Sequence, residues 1–222
     1  MTLRPPFFRS AAWGGSAKCL LSLCLLLVLA ANLFACAAVL NPGQAPARLQ
    51  LAPAMPDKIL SKPLNKQLVV ALPTAERDID TDNIALVFNK REVRYLAGLR
   101  WTSPAPNILQ RALIDALAAT NSLRGVTDES AGIAADAVLF CDLRQFSLHY
   151  ADPEESPAAV IIVYFRLIDP SDGTLMAMRK VEVSVPAGGR DNADLISACE
   201  TALSRCLAEI SPWIALTMAA KS

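Results

Sequence analysis

The chain has 222 residues, with 21 basic and 21 acidic side chains, so its formal net charge at pH 7 is zero. The first 35 residues hold three basic residues and no acidic one, which leaves 18 (21 − 3) basic against 21 acidic residues in the remainder. No basic tract is present, so charge gives no basis for expecting nucleic acid as a partner. The remaining length suffices for one domain with a hydrophobic core.

The first 35 residues have the pattern of a signal peptide. A positively charged stretch ending at Lys18 precedes an almost unbroken apolar run from Cys19 to Ala35. The run stops at the sequence LFAC (33–36), which resembles the lipobox of bacterial lipoproteins, so Cys36 is predicted to become the lipidated first residue. The alternative is an uncleaved membrane helix, because about 17 apolar residues just span a bilayer. Either interpretation exports residues 37–222.

Residues 36–48 are predicted to be a lipidated tether that leads into a domain over residues 49–222. Asn41-Pro42-Gly43 and Pro46 disfavour regular structure there, and two or more acyl chains make membrane attachment stable. Lipoproteins with aspartate after the lipidated cysteine tend to stay at the inner membrane, whereas this chain has Ala37. The resemblance therefore implies lipid anchoring at the periplasmic face of the outer membrane.

Three cysteines besides Cys36 remain after removal of the signal peptide: Cys141, Cys199 and Cys206. An odd number gives no complete disulfide framework in an oxidising compartment. Cys199 and Cys206 lie about 10 Å apart along one predicted helix, too far to bond to each other. Two interpretations stay open: three buried free thiols, or a disulfide between Cys141 and one of the two helix cysteines.

The first half of the domain is predicted to contain short strands and one helix. Residues 49–51 and 67–72 predict short strands, each followed by a proline. Residues 84–88 and 93–99 flank a polar turn and predict a β-hairpin. A helix is predicted to begin near residues 104–106, because apolar residues then recur at helical spacing on one face: Leu109, Ala112, Leu113, Ala116 and Leu117.

The second half begins with a strand whose apolar pattern changes phase. Residues 137–143 alternate apolar and polar side chains, and after Leu143 the apolar phase switches to Phe146, Leu148 and Tyr150. The switch indicates either a β-bulge or a strand that runs past the core to meet a partner. Residues 160–168 then predict a central strand, and the turn sequence DPSDG (169–173) leads to a further strand at 175–185.

The last predicted element is the clearest helix. Apolar residues recur every three or four positions, Asp191 is a candidate N-cap, and Pro212 is expected to end or kink the helix. The apolar stripe consists of Ile196, Cys199, Leu203, Cys206 and Ile210. An antiparallel or mixed sheet with two main helices packed on one face would bury both helical stripes. The predicted fold is therefore a single α+β domain of that kind.

No catalytic motif appears in the exported residues. The single histidine, His149, is interpreted as an ordinary strand-end residue and excludes a multi-histidine metal site, and phosphate-loop and G-x-S-x-G patterns are absent. The run DIDTD (78–82) imitates a calcium loop, but Asn83 and Asn89 stand where glycine and glutamate are needed. We therefore predict a binding protein that is not an enzyme and uses no metal or cofactor.

Several segments, in order, carry a resemblance to a known family. They are LVVALP (68–73), the Asp-rich loop, the two hairpin strands, and Arg100-Trp101 ahead of a proline-started helix. Over about residues 48–215 the chain resembles the ABC-type transport auxiliary lipoprotein family. The resemblance implies a non-catalytic outer-membrane lipoprotein. Such a protein works with an MCE-domain substrate-binding protein and an ABC transporter to move lipids across the periplasm.

Partner contacts are predicted at Arg100, Trp101 and Tyr150, since arginine and aromatic residues are enriched at interface centres. The alternative for Trp101 is a core position ahead of the helix. The alternative function is a structural or scaffold lipoprotein of another envelope assembly complex. The sequence leaves a homo-oligomer open.

Overall fold

The computed structural model describes residues 45–89, 91–152 and 155–220. The predicted signal peptide, Cys36 and most of the tether lie outside them. Within the described residues nine strands form one mixed sheet, which confirms the predicted α+β class. The strands are β1 (Ala47–Leu49), β2 (Leu64–Val70), β3 (Thr74–Ala75), β4 (Asn83–Phe88), β5 (Glu92–Trp101), β6 (Leu123–Thr127), β7 (Ala137–Tyr150), β8 (Ala158–Ile168) and β9 (Leu175–Pro186), and the helices are α1 (Ala105–Ala119) and α2 (Asn192–Ala220).

Strand β7 is the centre of the sheet. Along one edge it meets β2, β3 and β4 in turn, all parallel to it. Along the other edge it pairs antiparallel with β8, which pairs antiparallel with β9. Strand β6 extends the sheet beyond β2, while β5 and then β1 extend it beyond β4. The predicted central strand at 160–168 thus corresponds to β8, which is paired on both sides.

The change of apolar phase in β7 is a β-bulge. The register with β8 shifts between Leu143 and Gln145, so side chains before and after the shift point into the same core. Phe146, Leu148 and Tyr150 are all buried there. The alternative expectation, a strand that runs past the core to meet a partner, is wrong, because β4 and β8 flank this half of β7.

Both helices pack on one face of the sheet, as predicted. In β8 and β9 buried side chains alternate with more exposed ones, so one face is covered, and α2 lies on it. The predicted stripe of α1 is also buried, where α1 contacts β2, β6 and α2. The stripe of α2 is buried from Cys199 onward, while Ile196 is half-buried at its margin. All core residues lie between Leu51 and Met218, so this unit carries its own hydrophobic core.

The start of helix α2 agrees with the prediction, whereas its end differs from it. At its start the Asp194 N–H donates to Asp191 Oδ1 at 2.9 Å, which is the geometry of the predicted N-cap. At the other end the helix continues through Pro212 to Ala220, so of the two expected effects of Pro212, a helix end or a kink, the helix end is wrong. Proline removes one backbone hydrogen bond, but Ile214 and Met218 are fully buried beyond it and hold the last turns against the core. Within the described part of the chain, no helix is both long and apolar enough to cross a membrane.

Strand bounds differ from the predictions mainly in the first half. Strand β1 lies at 47–49 instead of 49–51, because Leu51 turns into the core without a strand partner. Strand β2 begins at Leu64 and ends at Val70. The short strands β3 and β6 carry too few alternating apolar residues to be predicted. The hairpin β4–β5 and the turn at 169–173 are confirmed, the latter with Gly173 at φ 73°.

Candidate docking site

The tether joins the domain at the β5 edge of the sheet. Strand β1 pairs parallel with β5 and places Arg48 beside Arg100. Both arginines form ion pairs with the same carboxylate. Arg48 Nη1 lies 3.4 Å from Asp82 Oδ2, and Arg100 Nη1 lies 3.6 Å from Asp82 Oδ1. The Trp101 N–H also donates to the Asp82 carbonyl oxygen at 2.7 Å. These three charged residues, which we call the tether clamp, fix where the tether leaves the folded domain.

The three residues predicted to contact a partner lie in two different environments. Trp101 is 1% exposed and packs edge-on against Phe146, with ring centroids 6.0 Å apart. Tyr150 is 8% exposed and stacks on Phe88 at 4.7 Å. Only Arg100 has a side chain that reaches the surface, where it is 43% exposed. A direct contact role for all three remains a prediction, and the position of Trp101 is the core position that the sequence left open.

The face of β7, β8 and β9 opposite the helices is exposed and rich in the residue types of interfaces. We call this surface the outer face. Cross-strand register places Phe140, Arg166 and Met178 in one row, and Asp142, Tyr164 and Lys180 in the next. Aromatic residues, methionine and arginine are enriched in protein–protein contacts. The strand alternation that marks the core also marks this face, because the residues between core positions must point the other way.

Four charged residues of the outer face form ion pairs along their own strands. Arg144 Nη2 lies 2.7 Å from Asp142 Oδ2 on β7, and Lys180 pairs with Glu182 on β9. The Lys180 ammonium also lies 5.9 Å from the centre of the Tyr164 ring, within cation–π range. The outer face therefore combines two local ion pairs, the exposed guanidinium of Arg166 and apolar side chains, a mixture suited to protein contact.

The three cysteines are free thiols buried in the core. Burial raises the pKa of each, because a thiolate would lose its hydration. The pKa of Cys199 and that of Cys206 are raised to about 12, and the pKa of Cys141 is raised further, with Cys206 nearby adding to the effect. Of the two interpretations left open, the structure has the free thiols, and protonated buried thiols do not act as nucleophiles at neutral pH.

One serine–histidine pair occurs in β7. His149 Nε2 lies 3.0 Å from Ser147 Oγ, a contact that follows from strand geometry, since residues two apart share a face. Ser147 is buried in the middle of the sheet, where Ala85 of β4 and Val160 of β8 flank it. A nucleophile must be reachable by its substrate, and this position offers little access.

The Asp-rich loop serves a structural purpose. Ile79 is buried in the core, and the Asp80 N–H donates to the Glu76 carbonyl oxygen at 2.8 Å. Asp82 is the acidic member of the tether clamp. Among the described residues, no group of three or more histidine, cysteine or acidic side chains is placed to hold a metal ion. The loop thus joins the tether to the hairpin β4–β5.

Comparison with solved structures finds the same fold elsewhere. A Xanthomonas campestris protein of the DUF330 family is 26% identical, with a TM-score of 0.71 over 79% of this chain and 98% of that one. An uncharacterized protein is 16% identical, with a TM-score of 0.55 over 74% of this chain and 99% of that one. Among curated proteins none matches this chain.

The family assignment rests on most of the folded domain. The model of the ABC-type transport auxiliary lipoprotein component family matches residues 49–211, from the end of β1 to the third quarter of α2. That range includes the tether-clamp residues Asp82 and Arg100, the whole hairpin and both faces of the sheet. The chain belongs to the ABC-type transport auxiliary lipoprotein component family.

Proposed function

We propose that this protein is the outer-membrane lipoprotein of an MCE/ABC-type lipid transport system, a non-catalytic component that docks an MCE-domain substrate-binding protein at the membrane. The observation that carries the proposal is the family match over residues 49–211. Energy for transport would come from the partner ATPase. The protein would contribute a binding surface that a lipid-anchored tether keeps near the membrane.

The arrangement of the tether supports a docking role. Cys36 is the proposed lipid carrier, and the ten residues from 37 to 46 span at most about 35 Å when extended. The tether clamp then fixes the end of this segment to the β5 edge, next to the exposed guanidinium of Arg100. A partner that contacts Arg100 would therefore lie close to the membrane side of the domain.

The anchoring part of the proposal is tested by replacing the lipid carrier. Cys36→Ser should abolish palmitate labelling and leave the protein unprocessed or absent from outer-membrane fractions. Cys206→Ala, which also removes one thiol but leaves the lipobox intact, is the matched control and should label normally. Unchanged labelling and outer-membrane fractionation of Cys36→Ser would refute lipidation at this residue.

The transport part is tested by affinity purification of the lipidated protein from detergent-solubilised envelopes. The MCE-domain protein encoded in the same genome, together with its permease and ATPase, should co-purify. Recovery of a different envelope assembly complex without these proteins would instead support the scaffold alternative.

A further inference from the structure

The tether enters the domain from the side of the β4–β5 hairpin turn. Strand β1 runs parallel to β5 and pairs with its last residues, with Ala47 opposite Leu99. A chain that enters β1 from its N-terminal side therefore comes from the direction of the turn that joins β4 to β5. We propose that this end of the hairpin contacts the headgroup surface of the membrane that holds the lipid anchor, a contact that rests on the lipidation of Cys36 proposed above.

The length of the tether allows both contacts at once. Strand β4 runs from Asn83, opposite Arg100, to Phe88, opposite Glu92. The turn therefore lies about 17 Å beyond the level of Arg100, where β1 is paired. The ten residues from 37 to 46 reach about 35 Å when extended, about twice this distance. The lipid carrier can therefore lie in the membrane while the turn touches the surface, without full extension of the tether.

Three exposed side chains at this end have the chemistry of membrane-interface residues. Val93 is 39% exposed and Tyr95 is 45% exposed, and they lie on one face of β5 because residues two apart in a strand share a face. Arg91 is exposed at the turn. Tyrosine is enriched at membrane–water interfaces, and arginine buries its methylene stem there while its guanidinium stays in water. We call Arg91, Val93 and Tyr95 the hairpin end.

The hairpin end is supported by contacts with the rest of the sheet. Phe88 stacks on Tyr150 with ring centroids 4.7 Å apart, and the Arg94 guanidinium lies 5.0 Å from the centre of the Phe88 ring. The Tyr95 hydroxyl donates to the Asp78 carbonyl oxygen at 3.3 Å. These contacts order the hairpin before any membrane is present, so that little further ordering opposes the contact.

Charge near the hairpin end is mixed, which indicates the kind of lipid it contacts. Glu92 pairs with Arg94 at 2.8 Å. The sequence DPEE (152–155) directly follows β7, whose last residues pair with β4, and its acidic residues offset the basic Lys90 and Arg91 of the turn. Attraction to anionic lipid is a property of clustered basic residues. The contact therefore depends on apolar and aromatic side chains and fits zwitterionic headgroups such as phosphatidylethanolamine.

A weak contact is enough at this place. The tether keeps the hairpin end close to the surface at a high effective concentration, so that a contact too weak to hold a free protein still orients an anchored one. The lipid anchor supplies the attachment, and the hairpin end determines which end of the sheet faces the membrane.

The contact is tested with a fluorescent probe on the full lipidated protein in vesicles of phosphatidylethanolamine and phosphatidylcholine. Val93→Cys is labelled with an NBD group. The thiols of Cys141, Cys199 and Cys206 are buried and Cys36 carries the lipid, so that only the new cysteine reacts. The probe emission should shift to shorter wavelength and should be quenched by lipids that are spin-labelled in the headgroup region.

Further variants supply the controls. Arg91→Cys, in the turn itself, should give the same shift, whereas Leu175→Cys should keep its emission in buffer, because Leu175 is 51% exposed at the opposite end of the sheet. Tyr95→Glu combined with Arg91→Cys should reduce the shift, because a carboxylate is costly to remove from water. Tyr164→Glu, on the outer face away from the turn, should leave it unchanged, with thermal melts confirming the fold of each variant.

Vesicle flotation separates failure of this contact from failure of the anchor. Protein that does not float with the vesicles would contradict lipidation at Cys36 and the hairpin contact together. Floating protein with unshifted probes at Arg91→Cys and Val93→Cys would overturn the hairpin contact alone. An equal shift at Leu175→Cys, or a shift that requires anionic lipid and disappears at high salt, would also overturn it.

Discussion

The two faces of the sheet formed by β7, β8 and β9 consist of the same strands but differ in how far their side chains are buried. On the covered face, Val163, Phe165 and Leu167 of β8 are fully buried under the helices. On the outer face, the intervening Tyr164 and Arg166 remain exposed, and the charged residues of neighbouring strands are paired locally. The covered face therefore supplies most of the apolar burial that stabilises the domain, while the outer face keeps its side chains exposed to solvent.

Truncation on the covered face should be costly. Leu203 is fully buried on the stripe of α2, so Leu203→Ala is expected to lower the free energy of unfolding by about 2–5 kcal/mol through lost burial and a residual cavity. Leu216→Ala, on the exposed side of the same helix, should cost less than about 0.5 kcal/mol. Urea unfolding of both variants measures the contrast, and equal losses would show that burial does not distinguish the two sides of α2.

The buried thiols should make the covered face sensitive to alkaline pH. Because burial raises the pKa of Cys199 and Cys206 to about 12, the folded state keeps protons that the unfolded chain releases above a thiol pKa of about 8.5. The free energy of unfolding should therefore fall as pH rises above about 8.5, by up to about 1.4 kcal/mol per pH unit for each thiol. Below that pH the thiols are protonated in both states and add no pH dependence.

Urea unfolding at pH 7.5 and pH 9.5 measures this effect. A variant with Cys141, Cys199 and Cys206 all replaced by alanine should lose the part of the alkaline destabilisation that the thiols cause, although its stability at pH 7.5 will be lower. The same pH dependence in both proteins would contradict burial of protonated thiols.

The tether clamp should have the smallest effect on stability. The guanidinium groups of its ion pairs are about half exposed to solvent, although the Asp82 side chain is 23% exposed, and exposed pairs contribute about 0–1 kcal/mol. Asp82→Asn should therefore shift the melting temperature only slightly, while limited proteolysis next to Arg48 should become faster because β1 is held less firmly. Unchanged proteolysis would indicate that the pairing of β1 with β5 holds the tether without the clamp.

Periodicity predicted the covered face well, because burial imposes a strict spacing on the sequence. The stripe of α1 and most of the stripe of α2 followed from apolar spacing alone. The phase change after Leu143 could be seen in the sequence, but the choice between a bulge and an overrunning strand required the pairing of β4 with the second half of β7.

Features that depend on pairing between distant segments were harder to predict. Strand β6 has only five residues and includes Gly125, so its apolar pattern is weak, and its place beside β2 is a long-range contact. The clamp of Arg48, Asp82 and Arg100 joins three separate segments, and no local spacing links them. Continuation of α2 past Pro212 depends on tertiary burial of Ile214 and Met218, which outweighs the local preference of proline.

Direct binding to the partner tests the central claim of a docking role. A soluble form of residues 45–222 titrated against the periplasmic part of its MCE-domain partner should bind at micromolar concentration or tighter. Arg100→Glu should weaken binding more than Arg94→Glu, a charge reversal on the same strand, with both variants melting like the wild type. No binding by well-folded wild-type protein at concentrations up to about 100 μM, which corresponds to an interaction free energy weaker than about −5.5 kcal/mol, would contradict the account.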